Sequence, residues 1–386
     1  MKVNTRIFIF FLISLFTLYL VWVHAYDVFY NGSTSKLFGG DPIKYLNLGF
    51  EKKSLLNIFS NFDVNRLGVQ FSLFGILLLS YFLNNSFGDW ALYASLFLNL
   101  IIVYISYYIL NLSYNSFLIG FKKNALIITY FFPAILLYLV GPNKEIFSFL
   151  CSCILVRISV ISAHVNNRIG RFKYELLFYS LVFILLTFFR EVYLLIGFLA
   201  LPIFIFRSIR FRYVFLYIAT ILLYFIRPDN YENSWQLSQQ ESSVVTLFFT
   251  RYFDAPFTYF IQLLAKFLLP VFGILYPSRL IRIADGHIFF LIRLLFCSSI
   301  LILFINFFKF VKLRIKTFKF SKLSQNLLYS LVIYSLSFSL STYVSDRKLI
   351  PSYPIVFALT ASLIRDKNLE NRNIKRDLIK DNNVLI

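Results

Sequence analysis

Charge is the scarcest thing in this chain. Only 15% of its 386 residues are Asp, Glu, Lys or Arg, against about 25% in soluble domains. Acidic groups are rarer still, 18 against 38 Lys and Arg, which leaves a formal net charge of +20. There are three cysteines, and Cys151, Cys153 and Cys297 all lie within apolar runs. Neither a disulfide framework nor a zinc site is indicated. No G-x-G-x-x-G, Walker A, H-E-x-x-H or G-x-S-x-G pattern occurs in a suitable context. Nucleotide and metalloprotease chemistry therefore have no foothold. No internal repeat and no soluble domain is visible either.

What the chain does have is apolar sequence in long blocks. It is 59% hydrophobic and 20% aromatic, with a mean hydropathy of +0.73. Blocks rather than alternation indicate a helical bundle and not an outer-membrane barrel. The expected class is an all-α polytopic membrane protein. The positive balance fits basic cytoplasmic loops and gives no support for nucleic-acid binding.

Twelve apolar runs lie near 6–26, 67–83, 89–110, 125–140, 145–163, 175–189, 192–206, 213–226, 257–277, 288–308, 325–343 and 352–364. The first is too long for a signal h-region and lacks a small-residue cleavage site, so it reads as a retained anchor. Residues 1–364 form one transmembrane domain with external loops at 27–66 and 227–256, and 365–386 form a charged cytoplasmic tail.

Topology follows from parity. With twelve spans and an inner N-terminus, three short basic loops fall outside. They carry Lys122 and Lys123; Arg168, Arg171 and Lys173; and Arg207, Arg210 and Arg212. That violates the positive-inside rule. Reading 67–83 and 257–277 as interfacial or re-entrant helices returns all three to the cytoplasm. Both runs are interrupted by polar or helix-breaking residues, among them Arg66 and Gln70 in the first and Gln262, Lys266 and Pro270 in the second. The expectation is about ten transmembrane helices, with both termini cytoplasmic.

This topology gathers unusual polar groups outside. They include Asp41, Lys44 and Tyr45 in Gly39-Gly40-Asp41-Pro42-Ile43-Lys44-Tyr45, and Lys144-Glu145 after Gly141-Pro142-Asn143. Arg190-Glu191, Arg251 and Arg347-Lys348 join them. About thirteen of the 18 acidic residues fall on this side. Each group also has an ordinary structural reading. Asp-Pro commonly caps a helix, Lys144-Glu145 can be a snorkelling ion pair, and Arg347-Lys348 can be flanking charges. Arg190-Glu191 is harder to dismiss, because it interrupts an apolar stretch of some thirty residues.

Cations at the outer ends of apolar spans, beside a carboxylate, suit a ligand with a lipid tail and a phosphate head. Arg grips phosphate through two N–H groups, and Lys acts as a point charge. Cations beside a phosphate leaving group stabilise charge that develops in the transition state. An aspartate can deprotonate an attacking hydroxyl.

A first span followed by a loop bearing Asp41 and Tyr45 resembles the GT-C class of polyprenyl-phosphate-dependent glycosyltransferases. It is similar, too, to the Wzy-like and EpsG-like bacterial polymerases of O-antigen and capsule. Phe131-Phe132-Pro133 through Lys144-Glu145 is similar to their Pro-containing span ending in a polar Lys-acid loop. Arg347-Lys348-Leu349-Ile350-Pro351 resembles their late Arg-x-x-x-Pro segment. The likeness covers the plan of most of the chain through short motifs, and no second acidic pair or soluble C-terminal domain is present. It implies glycan transfer from a polyprenyl-diphosphate donor outside the bacterial cytoplasmic membrane. Asp41, Arg190 and Arg347 would be the catalytic groups, with Lys44, Tyr45, Lys144, Glu145, Glu191, Arg251 and Lys348 on the substrate. The implied partners are lipid-linked oligosaccharide donor and acceptor, the bilayer and a chain-length regulator. No cofactor is expected, although a divalent metal is compatible with the scheme. The alternative is a transporter or flippase of lipid-linked oligosaccharide, which ordinarily shows repeats and mid-bilayer polar groups. An acyltransferase would need a reactive His inside a span, whereas His24, His164 and His287 sit near run ends.

Overall fold

The computed structural model describes residues 67–117, 144–164, 169–187, 189, 192–206, 208–226, 252, 255–264, 320–339 and 350–366. Among these every regular element is helical. Helix α1 is Leu67–Phe87, α2 Ala91–Phe117, α3 Lys144–His164 and α4 Ile169–Thr187. Helix α5 is Val192–Ala200, α6 Ile209–Ile226 and α7 Lys322–Ser339, and α8 covers 353–366. The runs at 6–26, 125–140 and 288–308, most of loop 227–256 and the tail beyond 366 lie outside the described residues.

Two stretches are long and apolar enough to cross a membrane, Tyr93–Tyr114 in α2 and Lys144–Ala163 in α3. At about 1.5 Å per residue each reaches roughly 30 Å, the depth of a bilayer's hydrocarbon core. The coarse sequence expectation therefore holds: the described chain is all-helical and carries membrane-length helices. In hydrocarbon the backbone has to satisfy its own hydrogen bonds, which helices do regardless of weak propensity. Many buried hydroxyls follow the same rule. Ser80, Ser106, Ser113, Ser152, Ser159, Ser335, Ser339 and Thr360 each donate to the carbonyl four residues back. They behave as small residues at helix contacts without leaving a bare polar atom.

Two breaks have visible causes. Gly88 takes a φ of +51° between α1 and α2, a left-handed turn that suits glycine best. Pro202 lacks an N–H, so α5 stops at Ala200 and a last turn, Pro202–Ile205, resumes with proline at its start.

The packing fixes helix directions. Helix α2 runs parallel to α3: Tyr107 meets Phe149 at 5.7 Å, and Arg157 reaches the Leu112 carbonyl. Helix α4 is antiparallel to α3, since Phe147 stacks on Phe189 at 4.1 Å while Arg157 pairs with Glu175. Helix α5 is parallel to α3, because Tyr193 meets Ser148 and Ile203 meets Ser162. Helix α6 returns against α5, with Arg212 at Phe206 and Phe215 at Phe198. Helix α7 also opposes α5, through Tyr329 at Leu199 and Phe338 at Tyr193. Helix α8 opposes α7, where Ser362 meets Ser324. So α2, α3, α5 and α8 run one way and α4, α6 and α7 the other. The end at which α3 begins is the upper end below.

Helices α3 and α7 lie at the centre of the described bundle. In α7 every residue from Ile333 to Ser339 is buried, as expected of a helix enclosed on all sides. The outer helices present apolar stripes instead. Phe97, Ile101, Tyr104 and Tyr108 of α2 are exposed, as are Leu177, Leu181, Ile184 and Leu185 of α4. Large apolar side chains at helical spacing are what lipid-facing helices present.

Three boundaries differ from the sequence reading. The run at 67–83 continues as helix to Phe87. The loop expected at 164–174 is shorter, because α4 begins at Ile169. The loop at 207–212 is mostly helix, and Arg212 is not a loop charge but a buried one, 2% exposed. It is held there because its guanidinium donates to the Phe206 carbonyl and to Asn326 Oδ1.

Candidate functional site

The upper end assembles around the first turn of α3, which opens with Lys144 and Glu145. Glu145 there is favourably placed against the positive end of the helix dipole. Tyr193, second residue of α5, donates its hydroxyl to the Lys144 carbonyl at 3.0 Å. The same hydroxyl lies 2.8 Å from Ser148 Oγ. The Tyr193 ring packs edge-on against Phe338 of α7 at 6.2 Å. Below it Phe149 stacks on Tyr353 of α8 at 5.5 Å. The starts of α3, α5 and α8 and the finish of α7 thus meet at one end.

Of the ten site residues expected from the sequence, Lys144 and Glu145 are described. Asp41, Lys44, Tyr45, Arg190, Glu191, Arg251, Arg347 and Lys348 lie outside the described residues. Their neighbours in sequence are informative. Val192, directly after Arg190-Glu191, is buried at the start of α5. Ile350, two residues after Lys348, opens the 3-10 turn Ile350–Ser352 that leads into α8.

The lower end carries polar groups that sequence reasoning passed over. Arg157 of α3 places Nη2 at 3.3 and 3.2 Å from the two carboxylate oxygens of Glu175 in α4. Its Nη1 donates to the Leu112 carbonyl of α2 at 3.4 Å. One guanidinium therefore ties three helices together. Arg212 donates to the Phe206 carbonyl, just past the Pro202–Ile205 turn, at 2.8 Å and joins Asn326 of α7. Asn326 in turn donates to the Ser159 carbonyl of α3 at 3.1 Å. A cation at a helix C-terminus is favourable, and the chain of bonds leaves this desolvated charge solvated by protein. Asp366, at the end of α8, accepts from the Ser321 N–H at 3.2 Å and from Ser324 Oγ at 2.8 Å, a carboxylate at the start of α7.

A signal for Arg157 was in the sequence. It is the one charged residue between Ile146 and Ala163, and an ionisable group inside such a run calls for a partner. Among the described residues no group of three or more His, Cys, Asp or Glu is placed to hold a metal ion.

No family model, no curated protein and no solved structure matches the chain.

Proposed function

We propose that the chain is an integral-membrane glycosyltransferase of the surface-polysaccharide polymerase kind. It would act on polyprenyl-diphosphate-linked glycans at the outer face of the bacterial cytoplasmic membrane. Asp41 would take the proton of the acceptor hydroxyl, while Arg190 and Arg347 stabilise the departing diphosphate. Lys44, Tyr45, Lys144, Glu145, Glu191, Arg251 and Lys348 would hold donor and acceptor. The observation that carries the reading is the meeting of helix ends at the upper end. Lys144-Glu145 open α3, Arg190-Glu191 precede α5, and Arg347-Lys348 precede the turn into α8. Three polar clusters far apart in sequence thus border helices that start together.

The helix directions support one step of the ten-span reading, the interfacial placement of 257–277. Helices α2 and α3 run parallel, as do α6 and α7. An odd number of crossings in 118–143 and in 227–321 meets that condition. One crossing in each, with 257–277 interfacial, is the simplest case. Cysteines introduced near Lys123, Arg171 and Arg210 should resist an impermeant thiol reagent in intact cells, and those near Asn143 and Ser345 should react. Labelling of the first three would invert the topology and move the site to the cytoplasmic face.

Arg190→Ala and Arg347→Ala should each abolish long-chain glycan in a deletion strain while the protein accumulates in the membrane. Arg→Lys should restore only part, because the planar fork is lost. Normal polymer in both alanine variants would reduce these residues to flanking charges. Among the described residues the part-buried Arg157–Glu175 pair is a feature that would suit a transporter, since such groups often mark translocation paths. The same strain separates the readings. A flippase defect leaves lipid-linked units in the inner leaflet, whereas a polymerase defect leaves single units outside.

A further inference from the structure

Lipid supplies no hydrophobic drive between transmembrane helices, so their mutual placement rests on close packing and interhelical hydrogen bonds. At the upper end those bonds converge on Tyr193, which is completely buried. Its hydroxyl donates to the Lys144 carbonyl and meets Ser148 Oγ, so it bonds α3 within the turn that carries Lys144 and Glu145. Its ring rests on Phe338. The start of α5 is thereby fixed against the start of α3 and the last turn of α7.

We propose that Tyr193 is a positioning residue. It is a clasp that sets the spacing between the Lys144-Glu145 turn and the start of α5, and through that spacing the affinity for the lipid-linked donor. The second half rests on the glycosyltransferase reading; the clasp itself does not. Tyr193 touches no reacting atom in this scheme and acts through the α3 backbone. Lys144 and Glu145 are one turn from Ser148, so a shift of α5 changes the distance between the Lys144-Glu145 turn and Val192, the first residue of α5.

The test uses the full chain in lipid nanodiscs, with Cys151, Cys153 and Cys297 replaced by Ala. Nitroxide labels are placed at Glu145→Cys and at Leu194→Cys, the latter an exposed position on α5. Tyr193→Phe removes the hydroxyl and keeps the ring on Phe338. The label distance distribution should broaden in Tyr193→Phe and change less in Ser148→Ala, which leaves the bond to the Lys144 carbonyl. Transfer is then assayed with unlabelled protein that keeps Glu145 and Leu194, on lipid-linked oligosaccharide extracted from the deletion strain. Loss of one uncharged hydrogen bond should raise KM about 3- to 10-fold in Tyr193→Phe, with kcat changed less. An unaltered distance distribution overturns the clasp. A broadened distribution with unchanged KM overturns the positioning role. If the native protein transfers nothing either, the glycosyltransferase reading alone falls, and the distances still decide the clasp.

Discussion

Asp41→Asn is expected to leave the protein in the membrane at its normal level and to cut polymer formation by about 10²–10⁴-fold, the usual size of a general-base contribution. The substitution keeps the shape of the side chain and its capacity to accept a hydrogen bond, and removes only the negative charge and the basicity. That makes it a clean separation of two roles. Gly39-Gly40-Asp41-Pro42 has the composition of a helix start, and a capping Asp is replaced by Asn with almost no loss. If Asp41 is a cap, Asn keeps the activity, while Asp41→Ala loses protein and activity together. If Asp41 is the base, Asn and Ala lose activity alike at unchanged protein levels. Lys44→Ala and Tyr45→Phe should cost less than either, because they only position donor or acceptor. Chain-length analysis of surface glycan in a deletion strain carrying each variant reads all four. Full-length glycan from Asp41→Asn would remove Asp41 from the chemistry.

The parts of this fold that were legible in the sequence are those set by hydropathy blocks and by charge asymmetry. The class follows from runs such as 145–163, which becomes α3 almost to the residue. Relative direction was legible through the basic loops: the expectation that they share one side of the membrane requires the relative orientations seen for α2 to α8. Boundaries were less so. Hydropathy ends a span where charge begins, but a helix continues as long as its backbone bonds do. Helix α6 accordingly starts at Ile209 and carries Arg210 outward and Arg212 inward on one turn. The partners of charged residues were not legible at all. Arg157 stands out as a lone charge in its run, but nothing in one dimension points from it to Glu175, 18 residues on. The role of Tyr193 was equally hidden, since it is one of 26 tyrosines. Only the packing shows that its hydroxyl bonds from α5 to α3.

Glu175→Leu is expected to destabilise the bundle by about 2–3 kcal/mol, and Arg157→Met/Glu175→Leu to recover most of that loss. Breaking a buried ion pair on one side costs about 3–5 kcal/mol, because the remaining charge is left desolvated and unpaired. Here the side chains are 14% and 35% exposed, so screening at Glu175 lowers the figure. In Glu175→Leu the Arg157 guanidinium keeps only neutral neighbours, the Leu112 carbonyl at 3.4 Å and the Tyr179 hydroxyl. It then has to find water or lipid phosphate from between α2, α3 and α4. Replacing both partners removes the desolvation problem along with the attraction, and such exchanges are often neutral or stabilising. Thermal unfolding midpoints in detergent, for the two single variants and the double, complete the cycle. Three unchanged midpoints would make the pair a bystander. A double variant that is stable yet produces no polymer would carry the opposite message: the charges are kept for what they do. A pair of charges inside the bundle, required for activity but not for folding, would shift weight from transfer at the outer face toward movement of a lipid-linked anion through the protein.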